Sequence, residues 1–108
     1  MIDVMTDAQG RRMLAELVSY EVSRLGLTRT RMRKEWGPVV SPATVDRVRR
    51  GEVVGDQYLA AIGDRLGMPR GFLTYVAEGD IDRIKKSGGD PDLIRWTLDL
   101  LDAESAAG

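Results

Sequence analysis

Apolar residues along this chain recur at helical intervals, and each run is bounded by residues that start or stop helices. Thr6-Asp7-Ala8-Gln9 reads as a capping box, in which the threonine and glutamine side chains satisfy early backbone donors. Leu14, Leu17, Val18 and Leu25 follow on one helical face that Glu21 extends, and Gly26 supplies a left-handed stop. Thr28 can cap a short second helix through about Trp36, ended by Gly37-Pro38. Ser41-Pro42 pairs an N-cap with a proline at the first helical position, where the missing N–H leaves no bond unmade. That third helix runs to Gly51.

A fourth helix is predicted from about Asp56 to Leu66, with Leu59, Ile62 and Leu66 inward and Gly67 closing it. Pro69 opens a fifth, which carries Phe72, Leu73 and Val76 and ends near Gly79; Asp80 through Lys86 has room for one more turn or two. Ser87-Gly88-Gly89 is the best linker in the chain, and Asp90-Pro91-Asp92 starts a last helix through about Ala103. No segment sustains two-residue alternation, and no internal repeat is visible. The expected fold is all-α: five helices and a further C-terminal one, divided as residues 1–87 and 88–108.

Composition narrows the chemistry. The 108 residues include no cysteine and no histidine, which removes disulfides, thiolate chemistry and the commonest metal ligand and general base. The remaining carboxylates, lysines and hydroxyls form no catalytic constellation, so no enzyme activity, cofactor or metal site is expected. No stretch approaches the length of a membrane span, and Met1-Ile2-Asp3-Val4 has neither a basic start nor a long apolar run. These features lead to an expectation of a cytoplasmic protein without a membrane partner.

The net charge of −1 conceals a strong asymmetry. Residues 21–50 carry eight arginines and lysines against Glu21, Glu35 and Asp46, giving +5, whereas residues 51–108 sum to −5. Such a division suggests a basic binding surface on an acidic remainder, although a solvated charged face would look the same. The third helix sharpens the choice. It sets an inward pair, Val45 and Val48, against Thr44, Arg47 and Arg50 on its other side. The small Ala43 and Thr44 would let its backbone approach base edges in a major groove, and Arg47 has the reach to donate a bidentate pair to guanine.

Leu27-Thr28, the run from Ser41 to Gly51, and Leu66-Gly67 together resemble the Cro and phage-repressor type helix-turn-helix family, often called the Xre family. The likeness covers about residues 12 to 77. It implies a five-helix repressor-like bundle, double-stranded DNA as the partner and a transcriptional regulator, in the manner of a phage-type or prokaryotic repressor. Base contacts would fall on Pro42, Ala43 and Arg47, and phosphate contacts on Thr28, Arg29, Ser41, Thr44 and Arg50. Three features depart from the family pattern. Pro42 and Ala43 cannot donate side-chain hydrogen bonds, so direct readout leans on Arg47. The turn Gly37-Pro38-Val39-Val40 is about two residues longer than usual, and Arg33 stands where a small residue packed on the recognition helix is usual.

In the last helix, Leu93, Ile94, Trp96, Leu98, Leu100 and Leu101 spread over roughly 200° of the wheel. A face that wide favours dimerisation, centred on Leu93, Trp96, Leu100 and Leu101, because such regulators bind two-fold related half-sites. Two alternatives stand beside a homodimer. The helix folds back over Trp36 or Tyr75, or it docks another protein, as in antitoxins similar to this family, whose DNA binding is autoregulatory.

Overall fold

The computed structural model describes residues 7–107, which form helices and no strand. The elements are α1 (Asp7–Arg24), α2 (Arg29–Trp36), α3 (Pro42–Arg49), α4 (Asp56–Arg65), α5 (Phe72–Glu78), α6 (Ile81–Lys85) and α7 (Pro91–Ala107). Thr6, expected to cap α1, lies outside the described residues.

Helix ends follow local chemistry closely. The Thr28 side chain accepts from the Arg31 N–H at 3.1 Å, and Ser41 does the same for Thr44 at 3.2 Å. Both hydroxyls thereby satisfy a donor that has no partner inside the helix. Gly51, at φ +77°, lets the chain reverse after α3: Gly51 N–H donates to the Val48 carbonyl at 3.0 Å and Glu52 N–H to the Arg47 carbonyl at 3.0 Å. This double bond pattern is a Schellman closure, and it fixes where Glu52 sits.

Three expected boundaries shift. The fifth helix begins at Phe72 rather than Pro69, because Gly71 takes φ +79° and Pro69 accepts only a turn bond, from Phe72 N–H at 3.0 Å. Asp80 starts a separate α6, its side chain accepting from the Arg83 N–H at 3.2 Å. The last helix continues past Ala103 to Ala107. Leu25, expected inward, is 37% exposed, since α1 has ended by then and Leu27 N–H has turned back to the Val22 carbonyl.

The core is centred on α1, which packs against α3, α5 and α7. Met13, Leu17 and Val18 from α1 are fully buried with Val45, Ile62, Phe72, Leu73, Val76 and Ile84. The Ser87–Gly89 segment is a tight connection: Ser87 Oγ donates to the Ile84 carbonyl at 2.7 Å, and a Cβ at Gly89 would stand 2.9 Å from Pro69 Cγ. Beyond it α7 lies against α1 and α6. Trp96 stacks on Tyr20 with centroids 4.6 Å apart, rather than on Trp36 or Tyr75. Thr97 is buried and donates to the Leu93 carbonyl at 2.7 Å, which meets the requirement that a buried hydroxyl be bonded.

Candidate nucleic-acid interface

α3 is held on α1 by apolar and polar means. Pro42, Val45 and Val48 are buried along one side. Near its end, Arg11 Nε donates to the Gly51 carbonyl at 2.9 Å, and Arg49 Nε donates to Ser19 Oγ at 3.1 Å. Both bonds tie the C-terminal end of α3 to α1, so the helix direction is fixed from behind. α2 contributes buried Met32 and Trp36, and the turn between the helices buries Val40, whose N–H reaches the Trp36 carbonyl at 3.3 Å. Arg33 points to solvent instead of packing on α3. The long turn has therefore not opened a space for it.

The other side of α3 faces outward. Ala43, Arg47 and Arg50, spaced at helical intervals, are exposed, and Thr44 is half-buried. Ser41 Oγ and Thr44 Oγ1 lie 3.0 Å apart at the helix start, with Thr28 and Arg29 of α2 also exposed. Pro42, expected at the bases, is buried. Proline at the first helical position falls on the same side as Val45, and the packing against the core covers it. The outward residues that remain are Ala43 and Arg47 from the expected base set, with Thr28, Arg29, Ser41, Thr44 and Arg50 from the phosphate set.

The arginines are less free than their number suggests. Arg29 pairs with Asp46 of α3. Arg31 clamps the end of α1, donating to the Leu25 and Gly26 carbonyls at 3.0 and 3.1 Å, and pairs with Glu35 at 2.9 Å. That hydrogen bond holds the Glu35 carboxyl below its ordinary range and raises Arg31. Arg24 neutralises the buried Glu21. Glu52 takes Arg50 at 2.6 Å and Arg47 at 3.4 Å, and the Arg50 bond chiefly pulls its carboxyl below the usual value. Among the described residues, Arg33 and Lys34 form no salt bridge and are exposed. Exposed pairs of this kind contribute little to the stability of the fold.

Sequence reasoning missed the pairing of Glu52 with Arg47 and Arg50, and that of Asp46 with Arg29, on this basic face. Asp46 lies inside the third helix, and its partner Arg29 stands 17 residues before it in α2, a distance that no local spacing announces. Glu52 was counted with the acidic remainder, although Gly51 as a helix stop already implied that the following residue folds back. Among the described residues no group of carboxylates could hold a metal ion, and no helix is long and apolar enough to cross a membrane.

The expected dimer residues divide. Leu101 is 3% exposed and belongs to the chain's own core, so in this arrangement it is covered from within. Leu93, Trp96 and Leu100 are half-buried, and Tyr20 beside Trp96 is 49% exposed. A cleft of about 500 Å³ opens next to this pair, lined by Glu21, Arg24, Met68, Asp90, Asp92 and Leu93 among others. Comparison with family models, curated proteins and solved structures finds no match to this chain.

Proposed function

We propose that this chain is a sequence-specific double-stranded DNA-binding regulator that inserts α3 into the major groove. The observation that carries the reading is the division of α3 itself. One side is anchored by Pro42, Val45 and Val48, while Ala43, Arg47 and Arg50 face out beside the capped starts of α2 and α3. A helix held by its back and bare along its front suits a groove about 12 Å wide. Arg47 reads a base, Ala43 lets the backbone come close, and Thr28, Arg29, Ser41, Thr44 and Arg50 hold phosphates.

Fluorescence anisotropy with a labelled duplex from the region flanking the chain's own gene tests this. Binding should weaken steeply with salt, by a log–log slope of about −0.9 per neutralised phosphate. An unchanged affinity from low to high salt would remove the reading.

The α7 face supports a homodimer on two-fold related half-sites, now centred on Leu93, Trp96 and Leu100 without Leu101. The acidic cleft beside Trp96 favours a second reading, an antitoxin-like adaptor whose α7 side binds a basic protein. Sedimentation equilibrium tests the first, which a dimer at micromolar concentration supports and a strict monomer removes; co-purification of a basic protein with the full chain tests the second.

A further inference from the structure

One carboxylate just beyond the end of α3, Glu52, touches both outward arginines, and it does so through different oxygens. Arg47 Nε faces Glu52 Oε1 at 3.4 Å, and Arg50 Nε donates to Glu52 Oε2 at 2.6 Å. Arg47 Nη2 also donates to the Val53 carbonyl at 3.0 Å. The Nε–Nη2 edge of the Arg47 guanidinium is therefore occupied from the protein side. Its Nη1 makes no hydrogen bond among the described residues, so the end-on fork of Nη1 and the second Nη2 hydrogen points away, unoccupied. Among the described residues Arg50 likewise uses only Nε of its side chain, leaving both terminal nitrogens open there.

The placement of Glu52 is not accidental to its side chain. The Schellman closure at Gly51 fixes its backbone, with the Glu52 N–H on the carbonyl of Arg47 itself. A long, exposed arginine ordinarily loses considerable rotamer freedom when it binds. A side chain already held by its inner edge loses less, and the held geometry favours one approach of a planar, two-acceptor partner.

We infer that Glu52 is a positioning residue: it holds Arg47 and Arg50 by their inner edges so that their terminal nitrogens meet DNA together, and it thereby sets the selectivity of α3. The inference rests on the DNA-binding reading and extends it to a residue that touches no base. Glu52 also carries a negative charge near the phosphates, so its loss has opposite effects on two kinds of binding. Non-specific affinity stays level or rises because a repelling charge is gone. Selectivity falls because the arginines are no longer held.

The test begins with a duplex enriched by the wild-type protein from a randomised library, titrated beside a scrambled duplex at one salt concentration. Glu52→Gln should lower the enriched-to-scrambled affinity ratio by about tenfold, the scale of one good arginine–guanine pair, with scrambled binding unchanged or tighter. Glu52→Asp, which keeps the charge but shortens the reach, should lose part of that ratio. An unchanged ratio in Glu52→Gln overturns the inference, even if both affinities rise. Nitrogen-15 relaxation of the Arg47 and Arg50 Nε–H groups in the free protein gives a second readout. Both should be ordered in the wild type and mobile in Glu52→Gln; equal mobility in the two proteins overturns the inference whatever the DNA result. If the wild type enriches no duplex, the DNA-binding reading itself fails, and this proposal falls with it by a separate result.

Discussion

Gly10 and Gly63 both sit inside helices, yet the packing around them dictates opposite responses to alanine. At Gly10 a Cβ would lie 1.9 Å from the Ala77 carbonyl oxygen and 2.8 Å from its carbon. Those are backbone atoms of α5, which cannot swing aside as a side chain would. Relieving the overlap requires α1 and α5 to separate by more than an ångström, against a close-packed core. Overpacking of this kind costs about 1–3 kcal/mol, and the rigid obstacle puts it at the upper end. Alanine returns up to about 1 kcal/mol of helix propensity, leaving a net loss of about 2 kcal/mol. For a domain of this size that corresponds to a fall in Tm of roughly 8–16 °C. At Gly63 the nearest atoms are Leu73 Cγ and Cδ1 at 3.5 and 3.6 Å, ordinary contact distances. Gly63→Ala should therefore be neutral or gain up to about 1 kcal/mol. Thermal unfolding followed by far-ultraviolet circular dichroism measures both. If Gly10→Ala matches or exceeds the wild type, the close α1–α5 approach is wrong.

Gly51→Ala should cost about 1–2 kcal/mol from the left-handed backbone alone, because φ is +77° and nothing lies within 4 Å of the added methyl; a denaturant midpoint equal to the wild type would refute that. Deleting everything after Ser87 should destabilise the remainder by about 3 kcal/mol or more, since Leu101 and Trp96 cover α1, and an unchanged urea midpoint would show that α7 does not pack there. Glu35 and Glu52, both held low by arginine hydrogen bonds, should titrate below the ordinary glutamate value in a carbon-13 carboxyl titration. A depressed folded-state carboxyl contributes above its unfolded value and loses that contribution as pH falls through the lower one, so both pairs should persist at neutral pH and part only in acid. Titration of both groups at the ordinary glutamate value would contradict the pairing.

Where the chain declares its structure, it does so through local chemistry. Thr28, Ser41, Gly26, Gly51 and Gly67 are legible as caps because each acts on backbone groups within a few residues. The buried Val45 and Val48 and the outward Arg47 follow from helical periodicity alone. What was hidden depends on distant partners. Nothing around Gly10 in the sequence announces that α5 packs against it. Pro42 reads as a first-turn contact until the direction of α3 on α1 is known. The apolar breadth of α7 suggested a partner, but Tyr20 of α1 and the core around Leu101 take up much of that face. Glu52 was invisible for another reason. Its role rests on where two exposed side chains meet after a turn, and no pattern of apolar residues records that.

Base reading by Arg47 is the central claim, and a paired titration tests it most directly. The wild type and Arg47→Ala are each titrated with the library-enriched duplex and with a scrambled duplex at one fixed salt concentration. Arg47 is exposed, and its backbone lies in a helix that alanine favours, so the fold should survive. Loss of a bidentate pair to guanine should weaken the enriched duplex by about 1–3 kcal/mol and the scrambled duplex by much less. Equal losses on the two duplexes would make Arg47 a phosphate clamp and contradict base reading by α3.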